Sequence, residues 1–465
     1  MKFNTAILLL LLIGFSKISA QNKQWTLREC VEYALENNIS IKQSALDIET
    51  ADIAKSDAFG GFLPTLNASA SNFWNSGLVN DPRTGTNIEQ TIRSSNYAAN
   101  LNLNIFDGLR NIRQFQRAKL NQLLSQYNLG KSKDDIALFV ANSYLQILLN
   151  KESLKVIEKQ HEITLEQLTR TKDLVEAGVL PQGDLLEIEA TSADEITRIV
   201  QAQNAVQISK ISLAQTLLIK DYETFDIADE DYMMPDAKVL NTPVERVIAN
   251  AKENRYEVQI AEQNKLIAEK DLQIARGAYY PTLSFSAGVN TFETDRDQIL
   301  RDDNGDPVFN PADGTPVLTD PDPIWDQFSD NRSYRYGVSL NIPIFNGFSV
   351  RNQVKRSKVS VKRAAFQLEQ AELDLDSNVY QAYLDAKGAA EAYEASQVAV
   401  KAQERAYEYA KERYDVGLTN AFDFSQSKFR LENAQSQLVQ NKFDYIFKLK
   451  VLELYFGIKV ADMKL

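Results

Sequence analysis

The sequence predicts a mainly helical protein that carries a pair of β-hairpins and arose by duplicating one half-molecule. Three observations point there. Gly60, Pro64, Thr65 and Leu66 return as Gly277, Pro281, Thr282 and Leu283, an offset of 217 that also carries Ala34, Glu36 and Asn37 onto Ala251, Glu253 and Asn254. Further on the offset is 239, which maps Leu101–Gly108 onto Leu340–Gly347, Tyr144 onto Tyr383, Gly178 onto Gly417 and Asp184 onto Asp423. In each half a stretch of period two is followed by a proline-free helical pattern 70 residues long. Units of this length are duplicated domains rather than turns of a solenoid.

The halves are expected at 21–243 and 244–465, after a secretory leader over 1–20. Lys2, the apolar run Ala6–Phe15 and the small-residue site Ile18-Ser19-Ala20 make that leader, and the run is too short to span a bilayer. Without Lys2 and Lys17 the chain has 49 basic against 63 acidic residues, a net charge of −14. Such a balance disfavours nucleic acid as a partner. Cys30 and His161 are the only residues of their kinds, which argues against disulfides, nucleophilic catalysis and a transition-metal centre. Cys30 is expected inside the first helix as a small apolar residue. No cofactor, metal or enzymatic activity is expected.

In chain order, Thr26 and Glu29 form a capping box opening a short helix to about Asn38. A second helix runs from about Ile39 to Phe59 and stops at Gly60-Gly61 and Pro64. The period then becomes two. Leu66, Ala68 and Ala70 alternate with Asn67, Ser69 and Ser71; Tyr97, Ala99, Leu101, Leu103 and Ile105 alternate with Ala98, Asn100, Asn102 and Asn104. In the second half Leu283, Phe285, Ala287 and Val289 alternate with Ser284, Ser286, Gly288 and Asn290, and Tyr336, Val338, Leu340 and Ile342 with Gly337, Ser339 and Asn341. These are strands over about 65–76, 95–106, 282–293 and 333–345, each with one apolar and one Asn/Ser-rich face. An ordinary sheet with a solvated face would read this way, and so would a membrane barrel. Rings near the strand ends favour the barrel: Phe62, Phe73, Trp74 and Phe106, then Tyr279, Tyr280, Phe292, Tyr334 and Phe345. The tips are turn-rich; Asp302-Asp303-Asn304-Gly305-Asp306 lacks the ligand order of an EF-hand and is read as surface turns.

The long helices follow. At 1.5 Å per residue each is on the order of 100 Å, which calls for a coiled-coil-like assembly. Leu154, His161, Leu168 and Val175 stand seven apart as an expected seam, with His161 hydrogen-bonded inside it. The helices reverse at "EAGVLPQGD" and "DVGLTNAFD", return to about Ile219 and Phe456, and are joined between halves by an irregular linker over 220–243. One chain offers four long strands, whereas closed membrane barrels need at least eight, so if the strands enter a membrane several chains must share one barrel, continued by a helical cylinder long enough to cross a periplasm.

The helix–hairpin–helix order, the "LPTL" and "YPTL" strand entries, the "NIFDG" and "PIFNG" exits and the "GL…D" reversals, all present twice, resemble the TolC-like outer-membrane efflux proteins over essentially the whole mature chain. The resemblance implies a homotrimer with a barrel of 12 strands in outer-membrane lipid and helices in the periplasm. It implies a passive exit duct that works with a periplasmic adaptor and an inner-membrane transporter. It also implies a gate at the helix reversals. Carried over, the gate comprises Gly178, Asp184, Tyr414, Gly417, Asp423 and Gln426, with Asp184 latched to Tyr414 and an Asp423 ring at the constriction. The family's arginine two residues after the second glycine is Thr419 here, and its second acidic ring position is Gln426. Asp184 and Asp423 are equally suited to cap helices. Two other readings stand beside the efflux duct: the outer-membrane part of type I protein secretion, and a soluble periplasmic coiled-coil adaptor. With Met233, Met234 and Met463 the only methionines after the leader, organic molecules or peptides are expected as cargo before soft metal ions.

Overall fold

The computed structural model describes residues 24–81, 83–229 and 238–458. The leader, the middle of the linker and all three of those methionines lie outside the described residues. Two compact units divide the chain, one comprising the residues up to Ile48, Leu124–Glu262 and Phe366 onward, the other Glu49–Leu123 and Gln263–Ala365. Each unit draws on both halves of the duplication.

The second unit holds the sheet. Helix α2 (Ile39–Gly60) leads into β2 (Thr65–Asn80) and β3 (Asn87–Phe106); helix α6 (Tyr256–Gly277) leads into β5 (Thr282–Thr294) and β8 (Ser333–Asn341), and the two-residue strands β6 (Gln298–Ile299) and β7 (Leu318–Thr319) pair with each other in the connection between β5 and β8. All pairings are antiparallel, in the order β2-β3-β5-β8. The register aligns Leu66, Leu101, Ala287 and Tyr336 across one row and Ala68, Ala99, Val289 and Tyr334 across the next. Side chains alternate along a strand, so these rows share one face. The other face carries Asn67, Asn100, Gly288 and Arg335, then Ser69, Ala98, Asn290 and Ser333. On the apolar face Tyr336 is 80% exposed and Leu340 59%. Phe73 and Phe292, grouped by sequence with the interfacial rings, fall on the polar face by register. The first hairpin is longer than expected, β2 reaching Asn80 and β3 beginning at Asn87. The last strand is shorter and stops at Asn341, because Pro343 has no amide to continue the ladder.

The exits repeat in detail. Asp107 accepts from the Asn111 amide (2.8 Å) and its counterpart Asn346 from the Val350 amide (3.4 Å), capping the long helices α3 (Arg110–Glu176) and α8 (Ser349–Asp415). Between cap and helix, Gly108-Leu109 and Gly347-Phe348 all take positive φ, from 60° to 74°. Glycine accepts that backbone freely; Leu109 and Phe348 are strained in it, at the same place in each copy.

In the first unit, helix α1 (Leu27–Asn37) begins with the expected box: the Thr26 amide donates to Glu29 Oε2 (3.0 Å) and the Glu29 amide to Thr26 Oγ1 (3.3 Å). Cys30, Val31 and Ala34 pack with Val140, Tyr144, Ile147 and Leu148 of α3, with Leu213 and Leu217 at the end of α4 (Gln182–Thr216), and with Ile446 of α9 (Ala421–Tyr455). Across the duplication, Val247 and Ala251 of α5 (Val244–Asn254) pack with Leu375, Val379 and Ala386 of α8. Tyr144 donates to Ala228 O (3.0 Å), and its counterpart Tyr383 to Leu240 O (3.3 Å). Residues 220–229 of the linker are less irregular than their composition suggests, since β4 (Asp226–Ile227) pairs in parallel with β1 (Gln24–Trp25) and buries Phe225 and Ile227.

Gly130, the lone glycine inside α3, has a packing cause: an added Cβ would lie 2.3 Å from Tyr256 Cζ. Gly130→Ala is expected to lower the thermal midpoint, overpacking of about 1–3 kcal/mol outweighing a helix-propensity gain of about 1 kcal/mol. Adding Tyr256→Ala should reverse the loss relative to the Tyr256→Ala parent. A Gly130→Ala protein that melts, by circular dichroism, at or above the parent temperature would refute this cause.

Along α8, Val359, Phe366, Leu373 and Tyr380 stand seven apart and are 48–69% exposed. A heptad stripe left in the open is half of a helix–helix seam.

Candidate gate at the helix reversals

Both long helices end in a Schellman motif. The Gly178 amide donates to Val175 O (3.0 Å) and the Val179 amide to Leu174 O (2.9 Å); Gly417 donates to Tyr414 O (2.9 Å) and Leu418 to Arg413 O (2.8 Å). The two glycines sit at φ 74° and 72°, so each reversal needs the residue it has. The returning helices then start differently. Pro181 precedes α4 and offers no side-chain cap, leaving Asp184 in the first turn. Asn420 caps α9 by accepting from the Asp423 amide (2.8 Å), and Thr419 Oγ1 donates to Asp423 Oδ2 (3.2 Å). Asp423 and Gln426 are exposed.

Tyr414 is 1% exposed. Its ring stacks on Phe424 at 5.0 Å, in a cluster with Ile188, Tyr407, Ala421 and Leu431. Its hydroxyl shares a 2.9 Å hydrogen bond with Thr171 Oγ1 of α3. Asp184 is near enough to act on Tyr414 by charge but makes no hydrogen bond to it among the described residues, so the expected partner of the tyrosine is replaced by a threonine. Burial raises the Tyr414 hydroxyl above its ordinary pKa, the Thr171 bond opposes that, and the charges of Asp184 and Asp415 add to it. Burial, then Asp415 and Glu166, pushes Tyr407 up to about 12. An arginine does stand at the reversal, from the other long helix: Arg170 pairs with Asp415 at 3.1 Å.

The seam above the reversal departs from the expected one. The buried column of α3 is Gln160, Thr164, Gln167 and Thr171, each 3% exposed or less, while His161 and Leu168 flank it. The spacing of four, three and four is a coiled-coil stripe written in polar residues. Gln160 Nε2 donates to Gln435 Oε1 (2.9 Å). Lys428 of α9 donates to both Thr164 of α3 and Glu195 of α4, and His161 Nδ1 lies 3.2 Å from Glu195 Oε2. Arg198 of α4 forks onto Glu432 of α9. Burial lowers the Lys428 pKa, and Glu195 opposes that by bonding the ammonium. Three helices are thus joined by polar groups, of which Lys428, Glu195 and Glu432 are scarcely reached by water. A groove of about 410 Å³ lies over this network, lined by Glu187, Asp194, Arg198, Phe422, Gln426 and Phe429. Sequence reasoning reached the reversal residues and missed Thr171, Glu195, Arg198, Lys428 and Glu432; the 4-3-4 spacing of Gln and Thr was the available signal.

At the distal tip, the Asp302 carboxylate accepts from the Asn304 (2.9 Å) and Asp306 (3.0 Å) amides, as a surface turn does.

The outer membrane efflux protein family matches residues 30–217 and again 247–457, two stretches that begin 217 residues apart. The chain belongs to this family. Its second match starts at the offset read from the internal repeat, so the duplication is a property of the family fold. The outer membrane protein TolC of Vibrio cholerae is 23% identical over 72% of this chain and 70% of its own length. The proteases secretion protein PrtF of Dickeya chrysanthemi is 22% identical over 95% of this chain and 89% of its own. Among solved structures, the Campylobacter jejuni CmeC outer membrane channel superposes with a TM-score of 0.76 at 17% identity, covering 96% of this chain and 86% of that one. The family's members are channel proteins. Membership selects the outer-membrane efflux duct, with its helices on the periplasmic side, over the soluble coiled-coil reading.

Proposed function

We propose that three copies of this chain form a passive exit duct, drawing on a periplasmic adaptor and an inner-membrane transporter for partner and energy, and catalysing no reaction. The observation that carries this reading is the four-stranded sheet with one apolar face, one Asn/Ser face and no partner strand on the outer edges of β2 and β8 among the described residues. Unpaired edges are untenable in lipid, and joining β8 of one copy to β2 of the next closes twelve strands without leaving any. The exposed α8 stripe needs the same neighbours.

The gate we assign to Gly178, Asp184, Tyr414, Gly417, Asp423 and Gln426 is held by the Tyr414–Thr171 bond and by the buried charges joining α4 to α9. In a trimer Asp423 supplies three carboxylates on exposed first turns, a ring that favours cations over anions. Conductance in planar bilayers tests the gate. Tyr414→Phe and Thr171→Val remove the same bond and should raise conductance alike. Asp184→Ala, which alters only a charge nearby, should raise it less. Unchanged traces from both hydroxyl variants would remove the latch.

Similarity to PrtF favours a second cargo class, secreted polypeptide. Deleting the gene separates the two: hypersensitivity to dyes and detergents marks small-molecule efflux, and loss of a protein from the medium marks secretion.

A further inference from the structure

From Leu283 to Leu340 the second hairpin runs 22 residues further than the first does from Leu66 to Leu101, and since β5 and β8 are no longer than β2 and β3 the surplus lies in the connection between β5 and β8. Part of that surplus folds into α7 (Ile324–Asp330), a short helix with no counterpart in the first hairpin. It is fastened to the sheet. Gln327 donates to Thr294 O (3.0 Å) and accepts from the Thr294 amide (2.9 Å), and Thr291 Oγ1 donates to Phe328 O (3.0 Å). The Phe328 ring lies 4.6 Å from Tyr97. Tyr97 and Thr291 continue the apolar rows of Leu101, Ala99, Ala287 and Val289, so α7 rests on the apolar face, at its distal end. Just beyond, Glu293 is buried with Ser95 (2.7 Å) and Arg93 (2.9 Å), which marks where that face stops being apolar.

Resting on the duct reading, we propose that α7 is an interfacial anchor seated in the outer leaflet of the outer membrane, with Trp325 and Ile324 among the lipid at the boundary between headgroups and chains. Ile324, Trp325 and Phe328 lie on one side of the helix, while Asp326, Ser329 and Asp330 point elsewhere. Trp325 is 81% exposed and Ile324 46%, although the Trp325 ring lies 5.8 Å from that of Phe328, tilted against it. An open indole continuous with a lipid-facing surface, backed by exposed carboxylates, is the chemistry of the bilayer interface. Neighbouring copies do not supply the cover. The helix sits on β3 and β5, the two inner strands, whereas chains join through the edges of β2 and β8. Trp74, on the same side of the sheet by register and opposite Arg93, is 66% exposed and belongs to the same belt in this reading.

Depth-resolved quenching tests this. The intact protein and W325F would be reconstituted into phosphatidylcholine vesicles brominated either near the carbonyls or near the chain ends. Trp325 is exposed, so W325F leaves the packing of the chain intact; Trp25 lies in the other compact unit, which leaves Trp74 as the second lipid-side indole. Shallow-bromine quenching of the intact protein should therefore fall by about half in W325F. Equal quenching in both proteins, together with acrylamide reaching Trp325, would overturn the anchor and mark the helix as a surface for water-borne partners. Failure of both proteins to float with the vesicles would instead overturn the duct reading beneath it.

Discussion

Phe366→Asp combined with Leu373→Asp will leave the chain monomeric in detergent. Both side chains belong to the open heptad stripe of α8, at 69% and 58% exposure, so neither contributes to the core of the single chain and the helix itself should still form. Seating a Leu or Phe against a neighbour removes it from water for about 1.5–3 kcal/mol each. In a closed trimer the stripe is used three times, so the loss is tripled, and two aspartates per seam must in addition be desolvated or left repelling. Light scattering with detergent correction distinguishes a mass of one chain from three. A double variant that remains trimeric would mean that the strands alone hold the assembly and that the stripe faces something else.

Arg198→Met will destabilise the helical part by about 3 kcal/mol and will leak more than any hydroxyl variant. Glu432 is 2% exposed and has its guanidinium partner at the rim of the groove. Removing one member of a buried pair strands the other charge, which costs about 3–5 kcal/mol; the lower value applies here because water reaches part of Arg198. Pairing Arg198→Met with Glu432→Gln should recover most of the melting temperature, since both charges are then gone. The conductance should not recover, because the Arg198–Glu432 tie between α4 and α9 is absent in both. If the double variant were as tightly closed as the parent, the charges would be stabilising the coil without restraining the gate.

What could be read from residue order was what local chemistry determines. The capping box at Thr26 and Glu29, the glycine reversals and the alternating faces follow from interactions within a few residues, and the duplication showed each of them twice. The lower seam was misread because seven-residue spacing of Leu154, Leu168 and Val175 was visible, while the buried column beside it is made of Gln and Thr whose partners lie some 240 to 280 residues away. The Tyr414 hydroxyl illustrates the same limit. Position relative to Gly417 located it, but the competition between Asp184 and Thr171 is decided by how α3 and α8 pack. The strand pairing within the linker and the helix α7 escape sequence for a different reason: two-residue strands and a seven-residue helix leave no periodic signature.

The polar column of α3 has a mechanical consequence. Around Tyr144, Ile147 and Leu148 the helices bury hydrocarbon, so drawing them apart would wet a large greasy surface. Around Gln160, Thr164, Gln167 and Thr171 a departing neighbour uncovers groups that water solvates almost as well as protein does. The cost of parting α3 from its neighbours therefore falls from the apolar stretch to the polar column, and rises again at the Tyr414–Phe424 cluster by the reversal. A pull on the bundle is then expected to loosen this polar stretch before the hydrocarbon on either side of it.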